Sequence, residues 1–298
     1  MAELDLVGAG GEPVDFRRTL ASHGVAELPP NLLDEEAVTL ETTLSVGAGR
    51  ARTIRLSESG PSRVLVEPIG RRPGKREAEQ LLRTVRHMLR LDDDLSRFYA
   101  LAAEDPELAW AARGAGRMLR SPTVFEDVVK TICTTNCAWS ATRRMVGALV
   151  AGLGDPAPDG RRSFPSPATM ADADEAFYRD VVRAGYRSAY LRALAAAEAA
   201  GELDLESLTD PERPDEEVAL RLLELPGIGP YGAAHVMLTS LGRYSRLVFD
   251  SWTRPAYAKL VGRKAADRTI ERRFRRYGDY AGLAFWLFLT RGWVPEPE

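Results

Sequence analysis

The chain has little of what would tie it to a membrane, a disulfide framework or a metal. Its 298 residues include two cysteines, Cys133 and Cys137, and three histidines, His23, His87 and His235. Two cysteines cannot build the bridged framework of a small secreted domain. Spaced four apart and without further soft ligands, they also make a poor metal site, and the histidines are too scattered to help. No run of about 18 apolar residues is available to span a bilayer. The opening residues, MAELDLVGAGGEP, lack the basic-then-apolar pattern of a secretion signal. No membrane partner and a cytoplasmic location are therefore expected. An excess of positive charge is missing too: the formal net charge is −3. That is a poor sign for a nucleic-acid binder if only the sum is counted, so the distribution matters more.

What is present is enough apolar residue, 45% of the chain, to bury a substantial core. Residues 1–72 read as β-rich. Thr39 to Val46 alternates in polarity, and ARTIRLS and RVLVEPI follow, set off by GAGR and ESGPS turns. A small antiparallel subdomain is expected there, with room for a helix in its first third. From about residue 73 to 298 the pattern is helical. KREAEQLLRTVRHMLRL is amphipathic, and DDDLSRFYALAAED opens with acids suited to a helix N-terminus. Loops rich in Pro, Gly and Asp separate the helices. The expected fold is α+β, mainly α: a small N-terminal antiparallel sheet and two helical subdomains flanking a cleft.

The most informative stretch is LPGIGPYGAAHVMLTSLGRYSRLVFD, Leu225 to Asp250. A hairpin at 225–231 joins two helical patterns. Pro226 stops the first helix, and Gly227 and Gly229 permit the positive φ of a tight reversal. Such a hairpin leaves backbone N–H groups unpaired at the positive end of the second helix, where a phosphate can sit without help from a side chain. Beyond it, between Arg243 and Arg276, Arg and Lys far outnumber the acids Asp250, Asp267 and Glu271. Beside a phosphate-binding hairpin, that face reads as a footprint for DNA.

LPGIGPYGAA followed by VFDSWTR resembles the helix-hairpin-helix DNA glycosylases, which excise damaged or modified bases. SPTVFEDVVKTICTTNCAWSATRRMVGAL, AGYRSAYLRALA and FRRYGDYAGLAFWLFL are similar to further family elements, so the likeness covers roughly residues 120–290. The resemblance implies double-stranded DNA carrying a modified base as partner and a monomeric enzyme, acting in a bacterial cell at the nucleoid. It implies no iron–sulfur cluster, since the closing helix is not followed by the four cysteines some relatives carry. No cofactor is expected; a monovalent cation on the hairpin carbonyls is left open.

Residue by residue, Asp250 matches the catalytic aspartate of the family, and it also reads as an N-cap for the helix after it. Tyr231 stands where bifunctional relatives carry a lysine. A phenol cannot form a Schiff base, so a monofunctional enzyme is expected, one that leaves an abasic site and an unbroken strand. Tyr231, His235, Trp252 and Phe125 are candidate walls of the base pocket, although Tyr231 and His235 also read as packing residues. Gly227, Ile228, Gly229, Asn136, Arg187 and Arg254 are candidate DNA contacts. Asn136 reads as a filler of the gap left by the extruded base, or as a helix C-cap; Trp139 is a wedge or a core residue. Alkylated purine is the first expected substrate, followed by oxidised purine of the 8-oxoguanine type and by a bulky modified pyrimidine of phage DNA in a defence role. The alternative of another class is a lesion-binding module without catalysis.

Overall fold

The computed structural model describes residues 2–295, and three hydrophobic clusters organise it. The first along the chain lies under a five-stranded antiparallel sheet: β1 (Ala2–Asp5), β2 (Leu32–Asp34), β3 (Thr39–Gly47), β4 (Arg50–Gly60) and β5 (Arg63–Pro68), in the spatial order β1-β5-β4-β3-β2. The alternation in these segments places Leu40 opposite Leu56 and Leu56 opposite Val66, so one face is continuously apolar. Two helices cover it. α1 (Phe16–Leu20) starts at Asp15, whose carboxylate accepts the Arg18 N–H at 2.8 Å. α2 (Lys75–Met88) lays Leu81, Val85 and Met88 on the sheet, which carries this cluster past residue 72.

The remaining helices form two further clusters. One is built from α4 (Val124–Thr134), α5 (Trp139–Leu153), α6 (Pro167–Asp172), α7 (Arg187–Ala199) and α8 (Asp215–Glu224). The other is built from α3 (Ser96–Ala103), α10 (Thr253–Val261), α11 (Asp267–Phe274) and α12 (Ala281–Thr290). α9 (Pro230–Val236), continued by a π-turn over Met237–Leu241, belongs to both. Ala233, Val236, Met237 and Leu241 face the first helical cluster, while Ala234 and Leu238 face the second. That two-sided burial explains why the segment is apolar nearly all round. It also puts the hairpin before α9 at one end of the seam between the helical halves.

Buried ion pairs close the centre of the molecule. Arg117, fully buried, reaches Glu12 of the N-terminal subdomain at 2.5 Å. Arg90 donates from Nε to the Met118 carbonyl at 2.8 Å and from Nη2 to the Thr239 carbonyl at 2.7 Å, which fixes the far end of the α9 segment. Among the described residues no helix is long and apolar enough to cross a membrane.

Candidate active site

The hairpin is shaped by one glycine conformation. Gly227 has φ 83°, and a Cβ there would lie 2.7 Å from the Tyr190 ring, so both the dihedral and the space require glycine. Gly229 differs from expectation: its φ is −103°, an extended value open to any residue, and a Cβ would meet nothing within 4 Å. Only Gly227 supplies a positive φ. Ile228 between them is buried in the helical core and anchors the turn. Pro230 occupies the first helical position, where its fixed φ suits the helix and its missing N–H costs nothing. The first-turn amides of α9 have no partner within the helix and sit at its positive end.

Asp250 precedes the turn into α10 and is half-buried. Its Oδ1 accepts the N–H of Trp252 at 2.8 Å and of Thr253 at 2.6 Å, while its own N–H donates to Thr253 Oγ1 at 2.9 Å. This reciprocal cap contributes about 1 kcal/mol to the helix start. It commits one carboxylate oxygen. Oδ2 has no partner among the described residues, and Asp250 forms no ion pair there.

Tyr231 sits in the first turn of α9 with its ring 5.7 Å from that of His235. Its phenol is raised above the usual range, first by burial and also by the negative charge of Asp250, against a hydrogen bond with Thr134. The phenol therefore lies between α4 and the Asp250 turn and stays protonated. His235 is 4% exposed, and burial pushes it down to about 4, so the ring is neutral at neutral pH. Thr239 Oγ1 donates to the His235 carbonyl at 2.8 Å and lies 3.5 Å from His235 Nδ1. With the threonine proton spent on that carbonyl, the tautomer that lets the ring donate to Thr239 Oγ1 has its hydrogen on Nδ1 and its lone pair on Nε2.

Aromatic groups flank this centre. Trp252, 39% exposed, packs 5.6 Å from Trp286 and 5.4 Å from Trp293. On the other side, the turn after α4 carries Asn136, an exposed residue with φ 47° that short polar side chains tolerate. Asn136 Nδ2 donates to the Tyr186 hydroxyl at 3.4 Å, and Tyr186 is 54% exposed.

No known family profile matches the chain. Among curated proteins it is 32% identical over 194 residues to the N-glycosylase/DNA lyase OGG1 of Arabidopsis thaliana, covering 60% of this chain and 52% of that one. It is 27% identical over 225 residues to the probable bifunctional transcriptional activator/DNA repair enzyme AlkA of Mycobacterium tuberculosis, covering 72% and 44%. The chain thus spans about half the length of these curated relatives. Among solved structures, the 3-methyladenine DNA-glycosylase from Archaeoglobus fulgidus superposes with a TM-score of 0.74 at 22% identity, over 99% of this chain and 100% of that one. The 8-oxoguanine glycosylase/lyase of Clostridium acetobutylicum gives 0.72 at 20% identity over 93% and 92%. The homologues and structural neighbours of this chain are helix-hairpin-helix DNA glycosylases.

Within this helix-hairpin-helix fold, the expected site residues separate into those that gather and those that do not. Tyr231 and His235 pack against each other within electrostatic reach of Asp250, while Trp252 packs on Trp286 and Trp293. Phe125, expected in the pocket, is instead packed in the helical core at 3% exposure, because α4 is buried on nearly every face. Arg187, expected to touch DNA, is 6% exposed. Its guanidinium stacks 4.5 Å from the Tyr186 ring and donates to the Thr135 carbonyl and, at 3.2 Å, to Thr135 Oγ1. It braces the turn that carries Asn136. Arg254 is paired bidentately with Asp267, both contacts 2.9 Å, and other arginines of the basic segment are paired too, Arg243 with Asp215 and Arg273 with Glu107.

A groove of about 540 Å³ opens beside the hairpin, lined by Tyr231, Phe249 and Arg254 but not by Asp250, His235 or Trp252. Three residues that the sequence reading passed over also belong to the site: Tyr186, Trp293 and His23. Tyr186 was legible as the exposed aromatic of AGYRSAY. The other two come from distant parts of the chain, and no local signal marks them.

Proposed function

We propose that the chain is a monofunctional DNA N-glycosylase: it extrudes a modified base from duplex DNA, hydrolyses the N-glycosidic bond and leaves an abasic site in an uncut strand. The observation that carries this reading is the uncommitted Oδ2 of Asp250 next to a tyrosine, not an amine, at the head of α9. As the C1′–N bond breaks, its electron pair leaves with the base and positive charge builds on the deoxyribose. A fixed carboxylate offsets that charge and takes a proton from the attacking water, whose oxygen bonds to C1′. The hairpin amides hold a backbone phosphate. Asn136 and the exposed ring of Tyr186 fill the stack that the base vacates, which offsets part of the few kcal/mol that extrusion costs.

Alkylated purine is the preferred substrate class. A neutral His235 cannot protonate a leaving group, and a purine carrying positive charge from alkylation departs without that help. Oxidised purine is the second reading, favoured by the relatedness to the plant N-glycosylase/DNA lyase and by the Asn136–Tyr186 pair. The enzyme acts as a cytoplasmic monomer without a cofactor; a monovalent cation on the hairpin carbonyls would tighten the phosphate contact. Duplexes bearing single alkylated, oxidised or bulky pyrimidine bases, incubated with the protein and then treated with alkali, test this. Breaks that appear only after alkali are expected. A gel shift without breaks on every duplex would instead make the chain a lesion-binding module.

A further inference from the structure

His23 is a buried polar residue with no role in the reaction above, yet it lies against the site. It comes from the N-terminal subdomain, just after α1, and its ring meets that of His235 edge to face at 6.0 Å. Its neighbours bind the flanking aromatics on both sides. The Ser22 carbonyl accepts Trp286 Nε1–H at 2.8 Å, and a Cβ on Gly24 would stand 3.5 Å from Trp139. The segment Ser22–Gly24 thus touches both helical halves, at Trp286 of α12 and Trp139 of α5. His23 Nε2 lies 2.7 Å from the Leu119 carbonyl. A carbonyl only accepts, so Nε2 carries the hydrogen and Nδ1 holds a lone pair. That Nδ1 is buried and has no partner, which is costly unless a ligand or water pairs with it. His235 Nε2 has no hydrogen-bond partner among the described residues, and it holds the lone pair in the tautomer that donates to Thr239. Burial pushes His23, like His235, down to about 4, so both rings present lone pairs at neutral pH.

We propose that His23 and His235 form an acceptor pair that reads an N–H donor on the edge of the extruded base, so that the site selects modified purines that keep an N–H there. This deepens the glycosylase reading and rests on it. Loss of a hydrogen bond to a buried polar group discriminates about ten- to a hundredfold.

The test uses the full chain and two matched pairs of duplexes, all with a 2′-fluoro sugar that blocks cleavage, with binding read by fluorescence anisotropy. One pair carries 3-methyl-3-deazaadenine with its exocyclic amine free or dimethylated. The other carries 8-oxoguanine or its 7-methyl derivative. The native protein is expected to favour the N–H member of at least one pair by about tenfold or more. His23→Leu and His235→Leu should each bring that ratio to near unity, and His23→Gln, which keeps both a donor for Leu119 and an acceptor, should restore most of it. Because each ratio is taken within one variant, a general loss of affinity or folded fraction cancels. Equal affinity within both pairs, or a ratio that survives His23→Leu and His235→Leu, overturns the acceptor pair. If no modified duplex binds more tightly than the undamaged one, the glycosylase reading itself fails, and the pair falls with it.

Discussion

At the scale of single residues, Asp250 has two separable tasks. Asparagine caps helices as well as aspartate does, through the same oxygen geometry, but carries no charge. Asp250→Asn should therefore fold and unfold like the native chain, bind DNA, and lose excision by several orders of magnitude, on the scale of removing a preorganised charge from a transition state. Asp250→Ala should add a stability loss of about 1 kcal/mol by breaking the cap. Single-turnover excision and thermal unfolding measured together check both, and near-native turnover in Asp250→Asn would defeat the mechanism. Tyr231 makes the companion prediction: borohydride should trap no covalent adduct between the native protein and modified DNA, and a strong adduct would show that some amine performs lyase chemistry. Asp250 and Tyr231 were singled out by the resemblance of VFDSWTR and LPGIGPYGAA to the glycosylases, and the charge of Asp250 does reach the Tyr231 phenol. Arg187 was not legible, since its charge suggests a DNA contact while its guanidinium is consumed by Thr135. Which partner an arginine takes depends on where a distant turn lands, and no local pattern encodes that.

At the scale of the element, the two hairpin glycines serve different ends and should respond differently. Gly227 holds a left-handed backbone against the Tyr190 ring, so Gly227→Ala strains the turn and meets a side chain at once. It should destabilise the fold by about 1–3 kcal/mol. Gly229 has an ordinary φ and open space where a Cβ would point. Gly229→Val should fold normally but hold bulk where a phosphate approaches the α9 amides. It should weaken binding to damaged and undamaged duplexes alike, because a backbone contact carries no sequence information. Chemical denaturation for the first variant and anisotropy on both duplexes for the second decide the matter. Destabilisation by Gly229→Val, or loss on the damaged duplex alone, would contradict this division. The helices themselves were readable from periodicity and caps: the strands at 39–68 and the amphipathic helix after residue 74 follow the alternation and the 3.6 period. That only Gly227 takes the positive φ was not readable, since either glycine can adopt either conformation.

At the scale of the molecule, the three clusters meet around neutral histidines, and this couples stability to pH. His23 lies between the sheet subdomain and α9, while His235 lies between the helical halves, and burial brings both from the ordinary 6.5 to about 4. His87 at the end of α2 is lowered to about 4 as well, first by burial and then by Arg120 and Arg90. The unfolded chain takes up protons on these rings near pH 6.5, whereas the folded chain resists until about pH 4. Their contribution is therefore complete above pH 6.5 and is lost as the pH falls toward 4. Each histidine contributes a slope of about 1.4 kcal/mol per pH unit inside that window. Glu126 and Glu206, raised chiefly by burial, act in the opposite sense. They are common to native and variant chains, so a difference between the two isolates the imidazoles. The melting temperature of the native protein should fall steadily between pH 6.5 and 4.5. The double variant His23→Gln, His235→Gln should start lower, having lost packing, but fall less steeply across the same window. Parallel curves for the two proteins would mean that these rings titrate normally and are not sealed at the junction. In that case the neutral, lone-pair-bearing wall of the site would have no physical basis.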